Sequence, residues 1–487
     1  MNSLGTVIAT RESPTTKLIH VVLADDSLEI SRGEVIEIAS KDTPRHVSSV
    51  LGMIKEIHKT NAYFSSPDVA KDFSSASSSV TSLFPVDEWA ATLLTVQPFG
   101  VYSRGRVSKL LNPVPPGSTA FKARPDVLRD FFGLEKTGLF LGATKSGEPV
   151  PVKLNMTRLL RKHLAILAIS GAGKSYATSI LIEEILKRTP EQGRIGVVAI
   201  DPHGEFNEFE NSGLDVEVVK GSFITIDVRK VTAWMIAEFE PNISPIQTRE
   251  LDKIIQQLRK REFHSFDDII NEVAGSETMG SRTKEALLGW LYNLQKLNIF
   301  STAENPPLLS SIKPGKLLIF DFSDILNIRL KQIYCAYISR QIFNARRNGK
   351  VPPFLLIIEE AHQFCPEGGS SVSKTVIETI AREGRKFYSS LCLISQRPVR
   401  LSTTALSQCN SQLILRIRNP YDLDYIGRSA EGIDRDTLNV LPDLDIGEGL
   451  IVGNAVNYPL LFQVRKREVD LTRYERSMEE EARLFDR

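Results

Sequence analysis

The chain has 487 residues, 42% hydrophobic and 24% charged, with 60 basic against 59 acidic residues and a formal net charge of +1. At about 150 residues per domain that is room for about three domains of ordinary globular composition. The charge balance excludes a polybasic coat for nucleic acid, so any such site must be a local basic surface.

Cys335, Cys365, Cys392 and Cys409 form no C-x-x-C pair, which points to reduced, buried thiols and to neither a zinc site nor a disulfide framework. No apolar run approaches the ~18 residues that span a bilayer, and MNSLGTVIATRESP lacks a signal peptide's apolar core. A cytoplasmic protein with no membrane partner is expected.

Residues 1–155 open with GTVIATRE, KLIHVVLA, GEVIEIAS and VSSVLGMIKEIH, short Val- and Ile-rich runs between turn residues that read as a small β-barrel. FSSASSSVTS at 73–82 reads as a surface loop. WAATLLTVQPFGVY and, at 139–153, LFLGATKSGEPVPVK are expected to be further strands returning to the barrel.

From residue 156 the pattern becomes that of an α/β core over 156–240 and 301–465. HLAILAI, IGVVAID, KLLIFDF, FLLIIEEA, SLCLISQ and SQLILRI are near-continuous apolar runs, as in strands buried on both faces of a parallel sheet. Residues 241–300, including TRELDKIIQQLRKR and TKEALLGWLYNLQKLNIF, read as a helical insertion, and 466–487 as a charged helical tail.

The segment LAILAISGAGKSYATS at 164–179 breaks from strand into Gly171-Ala172-Gly173-Lys174-Ser175 and resumes as helix. Converging backbone N–H donors need glycine's freedom to curl around a phosphate. Lys174 would place a charge near the β- and γ-phosphates, Ser175 a hydroxyl on Mg²⁺, and the helix its positive end toward the anion. The P-loop pattern G-x-x-x-x-G-K-[ST] is kept except at its first position, where Ala168 stands. The candidate ATP-binding set is Ser170, Gly171, Ala172, Gly173, Lys174, Ser175 and Tyr176, joined by Asp201 and Glu205 of AIDPHGEF, which follows a strand end.

FLLIIEEAH places Glu359 and Glu360 after a buried strand. Alternation along a strand sends adjacent residues to opposite faces, so Glu359 is assigned with Ser175 to the metal and Glu360 to the attacking water. Gln396, ending SLCLISQ, suits a γ-phosphate sensor. Arg382, Arg385 and Lys386 in IAREGRK form either a solvated charged face or an arginine finger for a neighbour's ATP.

GAGKS, DPHGEF, IIEEAH, AREGRK, ISQRP and GEGLIVGNAVNYPLLFQVR together resemble the HerA DNA translocases, relatives of the FtsK pumps within the RecA-like P-loop class, over nearly the whole chain. The resemblance implies a RecA-like core with a HAS-barrel-like N-terminal domain, and a homo-oligomeric, hexameric ring. The ring would hydrolyse ATP between subunits with Mg²⁺ and move double-stranded DNA, the barrel docking a NurA-type nuclease for double-strand-break end resection. It matches Lys174 and Ser175 to phosphate and Mg²⁺, Glu360 to the catalytic acid, Gln396 to the sensor and Arg385 or Arg382 to the finger, with Arg161 a further contact across subunits. Lys374 is a candidate for DNA. Two other readings share the P-loop: a conjugation- or secretion-type motor acting on protein, and a nucleotide-switched scaffold that loads a nuclease.

Overall fold

A computed structural model of the chain describes residues 3–25, 27–39, 45–61, 90–145, 148–260, 265–277, 279–429, 432–469 and 478–483. Two compact units result. One comprises Met1–Gly138, Gly142–Leu154 and Val456–Gln463, and the other Leu139–Leu141, Asn155–Ala455 and Val464–Arg487. The Ser-rich stretch at 73–82 lies outside the described residues.

In the first unit, β1 (Gly5–Ile8), β2 (Ile19–Leu23), β3 (Val35–Ala39), β4 (Ser49–Asn61), β5 (Ala90–Ser103), β6 (Arg106–Ser108) and β7 (Thr119–Lys122) follow in chain order. They pair as β2-β1-β7-β3-β4-β5, and β2 also pairs with β5, so six strands close into a barrel with β6 added to β5. Alternate residues point inward, as the two-residue pleat requires: Ile19 and Val21, Ile36 and Ile38, Leu94 and Val96 fill the interior with Leu4, Val7, Ile54 and Ala120. Between Ile36 and Ile38, Glu37 is also buried, and it is paired with Arg45 at 2.8 Å and Arg124 at 3.2 Å.

The strands of 139–153 do not return to the barrel. β8 (Leu139–Ala143) and β9 (Pro151–Leu154) continue from β20 (Leu460–Val464) in the order β20-β8-β9. The β2–β5 pairing closes the barrel and leaves no free edge for them to extend.

The second unit is built on β10 (Leu164–Leu167), β11 (Gly196–Asp201), β12 (Val216–Lys220), β15 (Leu317–Asp321), β16 (Phe354–Ile358), β17 (Ser389–Ser395), β18 (Ser411–Ile414) and β19 (Glu448–Gly453). Their order is β12-β15-β11-β16-β17-β10-β18-β19. Every pairing from β12 to β18 is parallel, and β19 runs antiparallel to β18. β10, β11, β15, β16, β17 and β18 are buried at every residue, which is why each reads as a mostly apolar run. The edge strand β12, VEVVK, is half-exposed and carried no such signal.

Helices Pro245–Lys260, Phe266–Gly275 and Ser281–Gln295 occupy the stretch read as a helical insertion. The helical run starts earlier than 241, with Ala233–Phe239, whose Thr232 cap accepts from the Met235 N–H at 3.2 Å. A two-residue parallel pair, β13 (Ile226–Asp227) with β14 (Phe300–Ser301), brackets all four helices, and Phe266 stacks on Phe300 at 4.1 Å. In the tail a short helix covers Met478–Ala482. Among the described residues no helix is long and apolar enough to cross a membrane.

Candidate active site

Parallel register brings the C-terminal ends of four adjacent strands to one edge of the sheet. Leu167 of β10 lies opposite Ser395 of β17, Ile358 of β16 opposite Leu393, and Ile200 of β11 opposite Ile358. The P-loop, Gln396, the two glutamates and the DPHGEF loop therefore leave the sheet side by side, at the crevice where doubly wound sheets take their ligands.

The P-loop turns where its glycines permit. Gly171 and Gly173 hold φ of 75° and 95°, the left-handed region that glycine alone enters freely. Ala168 is buried and continues the strand, with its N–H on the Ser395 carbonyl at 3.3 Å; it has no positive φ, so a methyl fits there. Helix Lys174–Leu186 begins directly after Gly173.

Lys174 is buried, and its ammonium meets both acids: Oε1 of Glu359 in close contact and Oε1 of Glu360 at 3.1 Å. The expectation that the acids face opposite sides is not met. β16 ends at Ile358, and Glu360 turns into the left-handed region at φ 48°, which ends the strand alternation and swings both carboxylates toward one cation. Burial pushes the Glu359 carboxyl up to about 8 against the pull of Lys174, with Glu205 and Glu360 adding repulsion. Burial works against the Lys174 ammonium too, but Glu359 and Glu360 outweigh it and hold its pKa above the usual range.

Glu205 receives a close hydrogen bond from the Ser175 hydroxyl. It is aimed there by Asp201, whose Oδ1 accepts from the N–H groups of His203 at 3.2 Å and Gly204 at 2.8 Å and whose Oδ2 accepts from Phe206 at 2.8 Å. Both Asp201 oxygens are thus turned to its own loop, and the carboxylate, wholly buried, has its pKa raised by burial. Within the set read as ATP-binding, Glu205 faces the P-loop and Asp201 shapes the turn that presents it.

One group in this corner went unassigned in the sequence. His362 Nδ1 stands 3.1 Å from Ser395 Oγ and 3.2 Å from Glu360 Oε2, and burial holds its pKa below the ordinary imidazole value. It links the end of β17 to Glu360. The only signal was its place two residues after Glu360 in IIEEAH.

Tyr176 lies on the first turn of the P-loop helix, with the Arg467 guanidinium 4.9 Å from its ring centre and its hydroxyl accepting from the Arg467 N–H at 2.9 Å. Gln396, half-buried, follows β17 directly.

The arginines are elsewhere. Arg161 precedes the start of β10, and Arg382 and Arg385 precede the start of β17, all three exposed. Strand rise puts them about 10–20 Å from the edge that carries Lys174 and Gln396. Arg161 lies 5.7 Å from the Tyr388 ring centre, and Arg382 is 3.9 Å from Glu378. Lys374 begins its helix and bonds the Gly369 carbonyl at 3.3 Å.

A cation would find hard oxygen donors beside the cradle. The Oε2 atom of Glu359 is buried without a hydrogen-bond partner, and the Ser175 hydroxyl lies on the same corner, a donor set suited to Mg²⁺ completed by phosphate oxygens. Among the described residues no group of three or more His, Cys, Asp or Glu side chains could hold a metal unaided.

The geometry agrees with what the chain is similar to. A family model described as "Helicase HerA, central domain" matches residues 139–342. The DNA double-strand break repair helicase HerA of Pyrococcus furiosus is 26% identical over 500 residues, covering 90% of this chain and 88% of that one. HerA of Sulfolobus acidocaldarius is 27% identical, covering 69% of this chain and 71% of that one. Among solved structures, VirB4 of Thermoanaerobacter pseudethanolicus superposes with a TM-score of 0.52 at 15% identity, over 69% of this chain and 99% of that chain, a likeness of fold. The chain is thus similar to the HerA helicases over most of its length, with the fold of a P-loop ATPase.

Proposed function

We propose that this protein is an ATP-driven double-stranded DNA translocase or helicase that works as a homo-oligomeric ring, a hexamer, in double-strand-break end resection, with its N-terminal barrel docking a NurA-type nuclease. The observation that carries the motor reading is the separation of Arg382, Arg385 and Arg161 from Lys174, Glu359 and Glu360 across the same sheet. A subunit that cannot bring its own arginines to its own phosphate cradle is suited to supply them to a neighbour's, which couples hydrolysis to the neighbour's position.

In this reading Lys174 and the backbone of Ser170–Ser175 hold the triphosphate, and Tyr176 borders it. Glu360 accepts the proton of the attacking water, Gln396 orients that water, and Arg385 or Arg382 of the adjacent subunit stabilises the transition-state charge. Ser175 and Glu359 would hold Mg²⁺, which when bound neutralises charge on the β- and γ-phosphates. Lys374 is proposed as a DNA contact, made to phosphate and hence sensitive to salt.

The test is steady-state ATP hydrolysis with and without linear duplex DNA, with Lys174→Ala as control. Stimulation by DNA that vanishes in the control is expected. Vigorous hydrolysis indifferent to DNA overturns the DNA-motor reading in favour of a protein-directed ATPase.

A further inference from the structure

His163 is wholly buried immediately before the P-loop strand and takes no part in the site described above. Its backbone is in the left-handed region, φ 61°, a conformation that costs a non-glycine residue of order 1–3 kcal/mol and persists only where the surroundings impose it. What imposes it is the ring. Nδ1 accepts the Leu391 N–H at 2.9 Å, which fixes the proton on Nε2, and Nε2–H donates to the Ala381 carbonyl at 2.9 Å.

These two bonds tie three segments together. The main chain of His163 leads into the P-loop strand, with its own N–H on the Leu160 carbonyl at 3.0 Å. Leu391 belongs to β17, which runs on to Gln396. Ala381 precedes Arg382 and is among the last four carbonyls of helix Lys374–Glu383, acceptors that helix geometry leaves in need of partners. The fit leaves no slack at the next turn: a Cβ on Gly384, between Arg382 and Arg385, would stand 2.3 Å from the Ser389 carbonyl oxygen and 3.2 Å from His163 Cε1. Two residues before His163, Arg161 reaches the Tyr388 ring that closes the same segment.

We propose that His163 is a positioning residue for the ATPase reaction: through its Nε2–H bond to Ala381 it sets the direction in which Arg382 and Arg385 project, in register with the P-loop strand of their own subunit. The proposal rests on the assignment of these arginines to the neighbour's ATP. A buried neutral imidazole suits the task because it is rigid, donates at one end and accepts at the other, where a hydroxyl or carboxylate cannot span both partners.

Two substitutions divide the two bonds. Asn tolerates the left-handed backbone and keeps an acceptor near the Nδ1 position but has no donor that reaches Ala381; Gln extends a donor toward the Nε2 position. His163→Asn is expected to lower DNA-stimulated kcat about tenfold or more while ATP affinity stays within about twofold, because small displacements of a charged group are costly in the transition state and not in ground-state binding. His163→Gln should recover most of the rate. The decisive comparison repeats both substitutions in an Arg382→Ala/Arg385→Ala background, where neither should lower kcat further. Loss of the same factor in that background, or wild-type kcat in His163→Asn, overturns the proposal. Wild-type kcat in the double arginine variant itself overturns the arginine assignment instead. Should His163→Asn fail to fold, His163→Gly, which tolerates the left-handed backbone and also lacks the donor, decides through the same background comparison.

Discussion

The Lys174 ammonium lies 3.1 Å from Oε1 of Glu360 while also contacting Oε1 of Glu359, so one cation of the phosphate loop holds two neighbouring acids on the same side. Both second oxygens are buried without a hydrogen-bond partner, and that of Glu360 lies 3.2 Å from His362 Nδ1. Glu360→Gln should keep ATP affinity and lose kcat by about 10²-fold or more, the usual worth of a general base. Glu359→Gln should instead weaken the Mg²⁺ dependence of ATP binding. Titrations of a fluorescent ATP analogue at several Mg²⁺ concentrations, beside steady-state rates, separate the two; matching phenotypes would remove the division of roles.

Removing the cation should cost stability in a manner that pH reveals. Lys174→Met leaves two buried carboxylates without their counter-charge, and breaking a buried pair in this way costs about 3–5 kcal/mol when the remaining group stays ionised. Glu359 escapes by taking up a proton, since burial already pushes its pKa up to about 8 with Lys174 present, and loss of Lys174 raises it further. A carboxyl whose folded pKa lies above its unfolded value favours folding when protonated, and that contribution is lost as pH rises through the window between the two. The melting-temperature deficit of Lys174→Met relative to wild type should therefore be larger at pH 9 than at pH 6. An equal deficit at both would show that the pair is not the source.

His163 gives the opposite sign. Burial lowers its pKa from 6.5 to about 4, so the unfolded chain binds a proton through that range and the folded chain does not. Stability is full above pH 6.5 and falls as pH drops toward 4, by about 3 kcal/mol at 1.36 kcal/mol per unit. Urea midpoints of wild type and His163→Gln compared across this range should diverge, wild type losing more on acidification. Parallel curves would show that the folded imidazole accepts a proton freely.

Much of this arrangement was legible in the sequence. Six strands of the core are buried at every residue and so mostly apolar, because both faces are covered, and the P-loop announced itself because Gly171 and Gly173 stand where the backbone must enter the left-handed region. What could not be read depends on single backbone angles or on distant partners. The φ of 48° at Glu360 cancels the strand alternation that predicted opposite faces for the acids. Asp201 looked like a ligand-facing acid because its type and place allow it, and only the loop's own N–H groups show where its oxygens are spent. The destination of β8 and β9 followed from barrel closure, a property of six strands together that no one of them carries. The site's dependence on the segment after β20 was equally hidden, since its contacts join residues nearly 300 positions apart.

That dependence is open to test at Arg465. Glu183, on the buried face of the P-loop helix, accepts from Arg465 Nη2 at 2.8 Å, from Lys187 at 2.7 Å and from the N–H groups of Glu468 and Val469 at 3.3 Å each. Arg465 also bonds Glu184 at 2.7 Å, and its side chain is only 7% exposed. Arg465→Ala should leave Glu183 buried with too few donors and destabilise the chain by about 2–4 kcal/mol. Because the same helix begins with Lys174 and Ser175, ATP affinity should fall as well. Arg465→Lys should recover less than half of either loss, since one ammonium cannot reproduce the fork that reaches both glutamates. Hydrogen exchange of the amides in helix Lys174–Leu186 reads the cause directly: faster exchange in Arg465→Ala marks a loosened P-loop helix, while wild-type exchange with weakened ATP binding would place the effect of Arg465 outside that helix.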